Sequence, residues 1–132
     1  MTRRVMLVDD DPDLLSLFSR ILERAGFAVL TAEDGYEALG MLEKATPDLM
    51  ILDVMMPLID GIELCRQVRA RTQTAQTPVI MLSARGDAEA IEESFEAGAD
   101  LYLNKPIVPR DLVAGARSVL SLRAGSEEDV AM

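Results

Sequence analysis

The sequence predicts an α/β chain in which a parallel five-stranded sheet is covered by helices on both faces, a doubly wound three-layer fold. Three observations predict it. Short apolar runs alternate with amphipathic helical windows five times along the chain. The runs have too few polar interruptions for a sheet with one face in water, which is the mark of buried parallel strands. The chain has 132 residues, 49% of them hydrophobic, which suits a single domain with one core. Strand–helix units repeated in this way pack with right-handed crossovers.

The first predicted strand is RVMLV (4–8). PDLLSLFSRILERAG follows as a helix that places Leu14, Leu15, Phe18, Ile21 and Leu22 on one face, with Gly26 suited to the position just past its end. FAVLT (27–31) is the second strand and GYEALGMLEKA the second helix. LMILD (49–53) leads into DGIELCRQVRAR, where the Asp60-Gly61 pair is first of all a turn and helix-start signal. A polar connection, TQTAQT (72–77), precedes the fourth strand, VIMLS (79–83), and the helix DAEAIEESFEAG. LYLN (101–104) and PRDLVAGARSVLSLR complete the set. The remaining residues, 123–132, are small, acidic and aperiodic, and are expected to form a disordered tail or the start of a linker.

Composition narrows the chemistry. The formal net charge is −10, which argues against a broad footprint on nucleic acid or anionic lipid. Cys65 is the only cysteine, so no internal disulfide forms and a reducing compartment is expected. It lies in a helical window and reads as a small buried hydrophobe. The first residues show no signal peptide and no run is long enough to span a membrane, so a cytoplasmic location is the expectation. The chain contains no histidine, which removes Ser-His-Asp and Cys-His nucleophiles, imidazole zinc ligation and imidazole phosphotransfer together.

All strands of a parallel sheet end on one edge, where such folds bind ligands. Strand one ends in Asp9 and Asp10, strand three in Asp53 and strand four in Ser83; strand five runs into Lys105. Strand two adds no obvious ligand. Part of the acidic opening DDDPD is plain helix chemistry: Asp11 is a good N-cap, Pro12 suits the first helical position, and Asp13 sits where the helix dipole favours negative charge. Asp9, Asp10 and Asp53 are left over. Carboxylates that converge either take up a proton or share a cation. Oxygen ligands without histidine or a placed thiol point to a hard cation, foremost Mg²⁺. Lys105 taken alone is an ordinary surface lysine, but beside this group it supplies a second positive charge. A cation, an ammonium and the Ser83 hydroxyl around one carboxylate are the parts for phosphoryl transfer onto Asp53.

The pieces LVDDD, LMILDVMMPLIDG, MLSAR and DLYLNKP, in this order and at strand ends, resemble the receiver domains of bacterial two-component response regulators over roughly residues 3–122. The resemblance implies a flavodoxin-like (βα)5 fold with strand order 2-1-3-4-5. It implies Asp53 as phosphoacceptor, Asp10 as direct Mg²⁺ ligand, Asp9 as a ligand through water, and the Met55 carbonyl as a further one. Ser83 matches the switch hydroxyl, Tyr102 the switch aromatic and Lys105 the phosphate-contacting lysine. Tyr102 without it is a packing residue, and the Met55-Met56-Pro57 loop a gap-filler. Lys105-Pro106 becomes a candidate cis bond, where the general expectation is trans. The implied partners are a sensor histidine kinase or histidine phosphotransfer protein, and a downstream protein of unknown identity; no membrane or direct nucleic-acid contact is expected. Phosphorylation would draw Ser83 inward, change the Tyr102 rotamer and repack the face of helix four, strand five and helix five; autodephosphorylation would reverse this. Met55 and Arg85 stand where the family tunes the phosphoryl lifetime.

One departure stands out. Leu101 and Gly115 occupy places where receivers joined to winged-helix DNA-binding domains commonly carry an acid and an arginine for dimerisation, which weakens the case for that dimer. Helix four is acidic, with Asp87, Glu89, Glu92, Glu93 and Glu96, and reads as a solvated face. Three alternatives are open. A Mg²⁺-dependent aspartyl-phosphate phosphohydrolase would often carry a second aspartate where Met55 stands, together with a cap domain. A mononucleotide binder would need a Gly/Ser/Thr-rich loop where DDDPD stands. A receiver-like scaffold would work without phosphorylation.

Overall fold

A computed structural model describes the backbone of residues 2–131 and the side chains of residues 2–122. Ten elements alternate strictly: β1 (Arg4–Val8), α1 (Pro12–Arg24), β2 (Ala28–Ala32), α2 (Gly35–Leu42), β3 (Leu49–Leu52), α3 (Gly61–Ala70), β4 (Val79–Ser83), α4 (Ala88–Glu96), β5 (Leu101–Asn104) and α5 (Pro109–Ala131). The sheet is parallel throughout, in the order β2-β1-β3-β4-β5. Doubly wound topology and strand order agree with the expectation.

Strand alternation sorts the core into two layers. Met6, Val8, Met50, Leu52 and Met81 face α2, α3 and α4, where they pack with Leu42, Leu64, Cys65 and Val68. Val5, Leu7, Leu49, Ile51, Ile80 and Leu82 face the other way, onto Leu15, Phe18 and Leu22 of α1 and Leu112, Ala116 and Val119 of α5. Each fully buried side chain of this size contributes about 1.5–3 kcal/mol, so the three central strands carry most of the burial. The expectation of five buried strands needs correction at the edges. β1, β3 and β4 are buried almost throughout, whereas β2 and β5 are half-exposed because each has a neighbour on one side alone.

Aspartate caps start four of the helices. Asp11 accepts from the Asp13 and Leu14 N–H groups, and Asp34, Asp60 and Asp87 accept from those of Glu37, Glu63 and Ala90. α1 ends as expected at Gly26, whose φ of 101° is open to glycine without strain. The Gly26 and Phe27 N–H groups donate to the Glu23 and Leu22 carbonyls, closing the helix in a Schellman motif.

The polar connection at 72–77 is a stitched turn: Thr74 is buried, its Oγ1 donates to the Val68 carbonyl at 2.6 Å, and the Arg69 guanidinium donates to the carbonyls of Thr77 and Gly98 at 2.6 and 2.8 Å. The backbone of α5 runs on to Ala131. No proline interrupts that stretch, and Gly125 alone costs a helix only about 1 kcal/mol. The tail's side chains lie outside the described residues.

Candidate phosphoacceptor and cation site

The site is made by strand ends in register. Val8 of β1 pairs with Leu52 of β3, and the ladder continues one step beyond both, with the Asp53 N–H donating to the Val8 carbonyl at 3.0 Å and the Asp9 N–H to the Ala32 carbonyl at 3.1 Å. Asp9 and Asp53 are thus neighbours across the sheet edge. On the far side the Lys105 N–H donates to the Ser83 carbonyl at 2.9 Å, which brings the β5–α5 turn to the same edge. The Lys105-Pro106 bond is cis, as the resemblance suggested.

The ammonium of Lys105 bridges the two acids. Its Nζ donates to Asp9 Oδ2 at 2.7 Å and to Asp53 Oδ2 at 3.3 Å. The other oxygen of each acid accepts from backbone: Asp9 Oδ1 from the Asp11 N–H at 2.9 Å, and Asp53 Oδ1 from the Met55 N–H at 3.2 Å. Asp9 is 3% exposed and Asp53 6%, while Asp10 points to solvent. All three offer ligand oxygens within 4.8 Å of one another. Three carboxylates against one ammonium leave two negative charges, and a divalent cation with a preference for oxygen fits that deficit. Asp9, Asp10 and Asp53 are the residues that could hold it.

Electrostatics follow from burial. Burial raises the Asp53 pKa above its ordinary value, and the negative charge of Asp9 adds to that; Lys105 and the Met55 N–H oppose it without winning. Burial alone would lower Lys105, but the hydrogen bond to Asp9 and the charges of Asp53 and Asp9 outweigh it, so its pKa is raised. The lysine is therefore a fixed cation at neutral pH.

Ser83 is fully buried, and its Oγ accepts from the Arg85 N–H at 3.1 Å, a bond that does not use its own hydroxyl hydrogen. Tyr102 packs partly buried against the α2–α4 core layer, and its hydroxyl donates to the Arg85 carbonyl. The structure thus joins Asp9, Asp53 and Lys105 directly and brings an Asp10 oxygen within 4.8 Å of those of the other two acids. Ser83 and Tyr102 meet through the Arg85 backbone and also side chain to side chain. Met55 contributes its N–H to Asp53 and exposes its side chain.

Sequence reasoning missed the part played by Gly61. A Cβ placed there would lie 2.1 Å from the Asp53 carbonyl oxygen, so the first turn of α3 sits against the backbone of the phosphoacceptor candidate. A glycine after an aspartate reads as a turn signal, and nothing local reveals the close approach. Gly115 has a similar explanation: an added Cβ would be 3.1 Å from Leu103 and 3.3 Å from Leu101. α5 packs so closely on β5 there that a large side chain has no room. Cys65 is buried as expected; its thiol donates to the Ala97 carbonyl at 3.5 Å, and burial pushes its pKa up to about 11.

Comparison with known proteins adds three findings. The family model described as the response regulator receiver domain matches residues 5–117. Among curated proteins, the transcriptional regulatory protein CpxR of Escherichia coli (strain K12) is 46% identical over 125 residues, covering 95% of this chain and 52% of CpxR. The alkaline phosphatase synthesis transcriptional regulatory protein PhoP of Bacillus subtilis (strain 168) is 41% identical over 120 residues, covering 91% of this chain and 49% of PhoP. The chain therefore spans about half the length of these relatives. Among solved structures, the chemotaxis protein CheY4 of Vibrio cholerae superposes with a TM-score of 0.87 at 36% identity, covering 90% of this chain and 99% of CheY4.

Proposed function

The chain belongs to the response-regulator receiver domain family, and from that premise we propose that Asp53 is its phosphoacceptor and residues 3–122 its receiver domain. The observation that carries the proposal is the arrangement at the sheet edge: a buried Asp53 whose Oδ2 is held by Lys105, within 4.8 Å of the ligand oxygens of Asp9 and Asp10. The donor is a phosphohistidine of a sensor kinase or phosphotransfer protein, or a small acyl phosphate. An Asp53 carboxylate oxygen attacks phosphorus, the bond from phosphorus to the donor's nitrogen or oxygen breaks, and the leaving group departs with that electron pair.

Each residue has a role in that step. Lys105 holds the Asp53 side chain and supplies positive charge to a phosphoryl oxygen. Ser83 donates its hydroxyl hydrogen to another. Asp10, Asp9, Asp53 and the Met55 carbonyl would hold Mg²⁺, which would supply positive charge to offset that of the phosphoryl group. As Ser83 moves toward the phosphoryl group, its bond to the Arg85 N–H is disturbed. The Arg85 carbonyl in turn positions the Tyr102 hydroxyl, so the disturbance reaches β5 and the adjoining faces of α4 and α5. Hydrolysis of the acyl phosphate by water resets the switch, which is signalling rather than turnover of external substrates.

PhoP and CpxR are by name transcriptional regulators, each about twice the length of this chain. For these residues themselves the charge of −10 argues against a broad nucleic-acid footprint, and among the described residues no helix is long and apolar enough to cross a membrane. We read the chain as a cytoplasmic signalling domain acting through a protein target. Intact-mass measurement after acetyl phosphate treatment tests the phosphoacceptor. Wild type is expected to gain one phosphoryl group in Mg²⁺, Asp53→Asn none, and Asp10→Asn at least about tenfold more slowly. Labelling that persists in Asp53→Asn would move the acceptor elsewhere.

A further inference from the structure

Arg85 is tied at both ends. Its backbone joins the switch residues, with its N–H on Ser83 Oγ and its carbonyl accepting from Tyr102. Its guanidinium turns the other way, toward α4, where Nε donates to Asp87 Oδ1 at 2.8 Å and Nη2 to Asp87 Oδ2 at 3.3 Å. Glu89 and Glu93 add their negative charge to the field around it. Asp87 is at the same time the N-cap of α4, accepting from the Ala90 N–H at 3.2 Å. The proposed mechanism uses the Arg85 backbone and leaves this side-chain pair without a purpose.

The pair is open to water, with side chains 38% and 47% exposed, and an exposed ion pair of this kind holds weakly. A phosphoryl group on Asp53 would offer the same guanidinium a stronger partner. It brings nearly two negative charges and three acceptor oxygens, and bidentate Arg–phosphate bonds are among the strongest charge-assisted hydrogen bonds. Because Ser83 Oγ and the Arg85 N–H are bonded, the root of the arginine side chain is already fixed beside a switch residue. Arg85 and Asp87 lie two residues apart in the loop between β4 and α4, at the sheet edge that carries Ser83 and Asp53.

We propose that Asp87 competes with the phosphoryl group on Asp53 for the guanidinium of Arg85, so that this carboxylate sets the threshold of the switch. Asp87 is a positioning residue: it acts through Arg85 and touches no reacting atom. The acidic start of α4 then has a role besides solvation, because Glu89 and Glu93 help to keep Arg85 on the resting side. By linkage, whatever holds Arg85 on Asp87 weakens binding of a phosphoryl group, and binding of that group loosens the pair by the same factor.

The inference rests on Asp53 as the phosphoacceptor, and its test separates the two. The probe is beryllofluoride with Mg²⁺, a phosphoryl mimic, titrated while bound fluoride is followed by ¹⁹F NMR. Asp87→Ser keeps an oxygen to cap α4 but cannot hold the guanidinium with two bonds. Arg85→Ala keeps the backbone bonds to Ser83 and Tyr102. Asp87→Ser is expected to bind the mimic about two- to fivefold more tightly than wild type, the range in which exposed ion pairs are measured. The double variant is expected to match Arg85→Ala alone, since Asp87 has nothing to withhold once the arginine is gone. An unchanged affinity in Asp87→Ser would overturn the proposal. So would a gain of equal size in the Arg85→Ala background, which would show Asp87 acting through the helix cap. Failure of wild type to bind the mimic or to be labelled by acetyl phosphate would instead overturn the phosphoacceptor reading.

Discussion

Asp53 is a carboxyl group that its surroundings discourage from ionising, and this has a measurable sign. Its folded pKa is raised above the ordinary value of 3.8, chiefly by burial, so the fold binds its proton more tightly than the unfolded chain does. The associated stability is present below the unfolded pKa and lost as pH rises through the folded one. At pH 7 ionised Asp53 is therefore a cost to the fold. Asp53→Asn is expected to stabilise the protein there by about 1 kcal/mol, or about 3 °C in Tm, the open edge screening anything larger. The gain should shrink to nothing in melts below about pH 4, where wild type is protonated. A destabilised Asp53→Asn at pH 7 would mean that the lost bond to Lys105 outweighs the removed charge; against that, Lys105 keeps its shorter bond to Asp9 at 2.7 Å. The residues of this group were legible because acids at strand ends with no histidine leave little other chemistry. Which of the two adjacent acids is buried was not legible, since Asp9 and Asp10 are identical in type and only the pleat of β1 turns one inward.

At the scale of elements, caps and turns were the readable part. Asp11, Pro12 and Gly26 bracket α1 by local chemistry, and the structure places each in that role. Gly61 belongs to a different class because what it permits is a contact between α3 and β3. Gly61→Ala would drive a methyl group into the Asp53 carbonyl, with Val54 backbone also within 2.9 Å. Neither partner is a flexible side-chain end, so α3 must shift. The expected loss is about 2–3 kcal/mol in urea denaturation, with weaker Mg²⁺ binding because the displaced backbone carries Asp53. Gly40→Ala serves as the control, for nothing lies within 4 Å of an added Cβ there and the change should be neutral or slightly stabilising. Arg69 likewise escaped a reading of the sequence. A helical arginine looks like a solvated charge, yet this one ties α3 to the 72–77 turn and to the loop before β5.

At the scale of the whole molecule a cation bound at the sheet edge would link site and stability. Three carboxylates gathered on one edge of a protein with net charge −10 repel one another, and a cation between them would relieve that repulsion. Mg²⁺ at about 100 times its dissociation constant is expected to stabilise wild type by about 2.7 kcal/mol. Thermal melts with and without Mg²⁺ should show that rise in wild type and little in Asp10→Asn, whereas an equal rise in both would place the ion elsewhere. The sequence by itself determined the number and alternation of elements, the helix starts and which residue types gather at the sheet edge, because these depend on periodicity, capping and residue type, which are local. Only the tertiary structure decided that Asp9 and Asp53 share one lysine, that β2 and β5 are half-exposed, that Gly61 abuts Asp53, and that Arg85 is held by Asp87. Each of these depends on which strands become neighbours and on side-chain directions at the sheet edge, and both are set by packing between segments far apart in the chain.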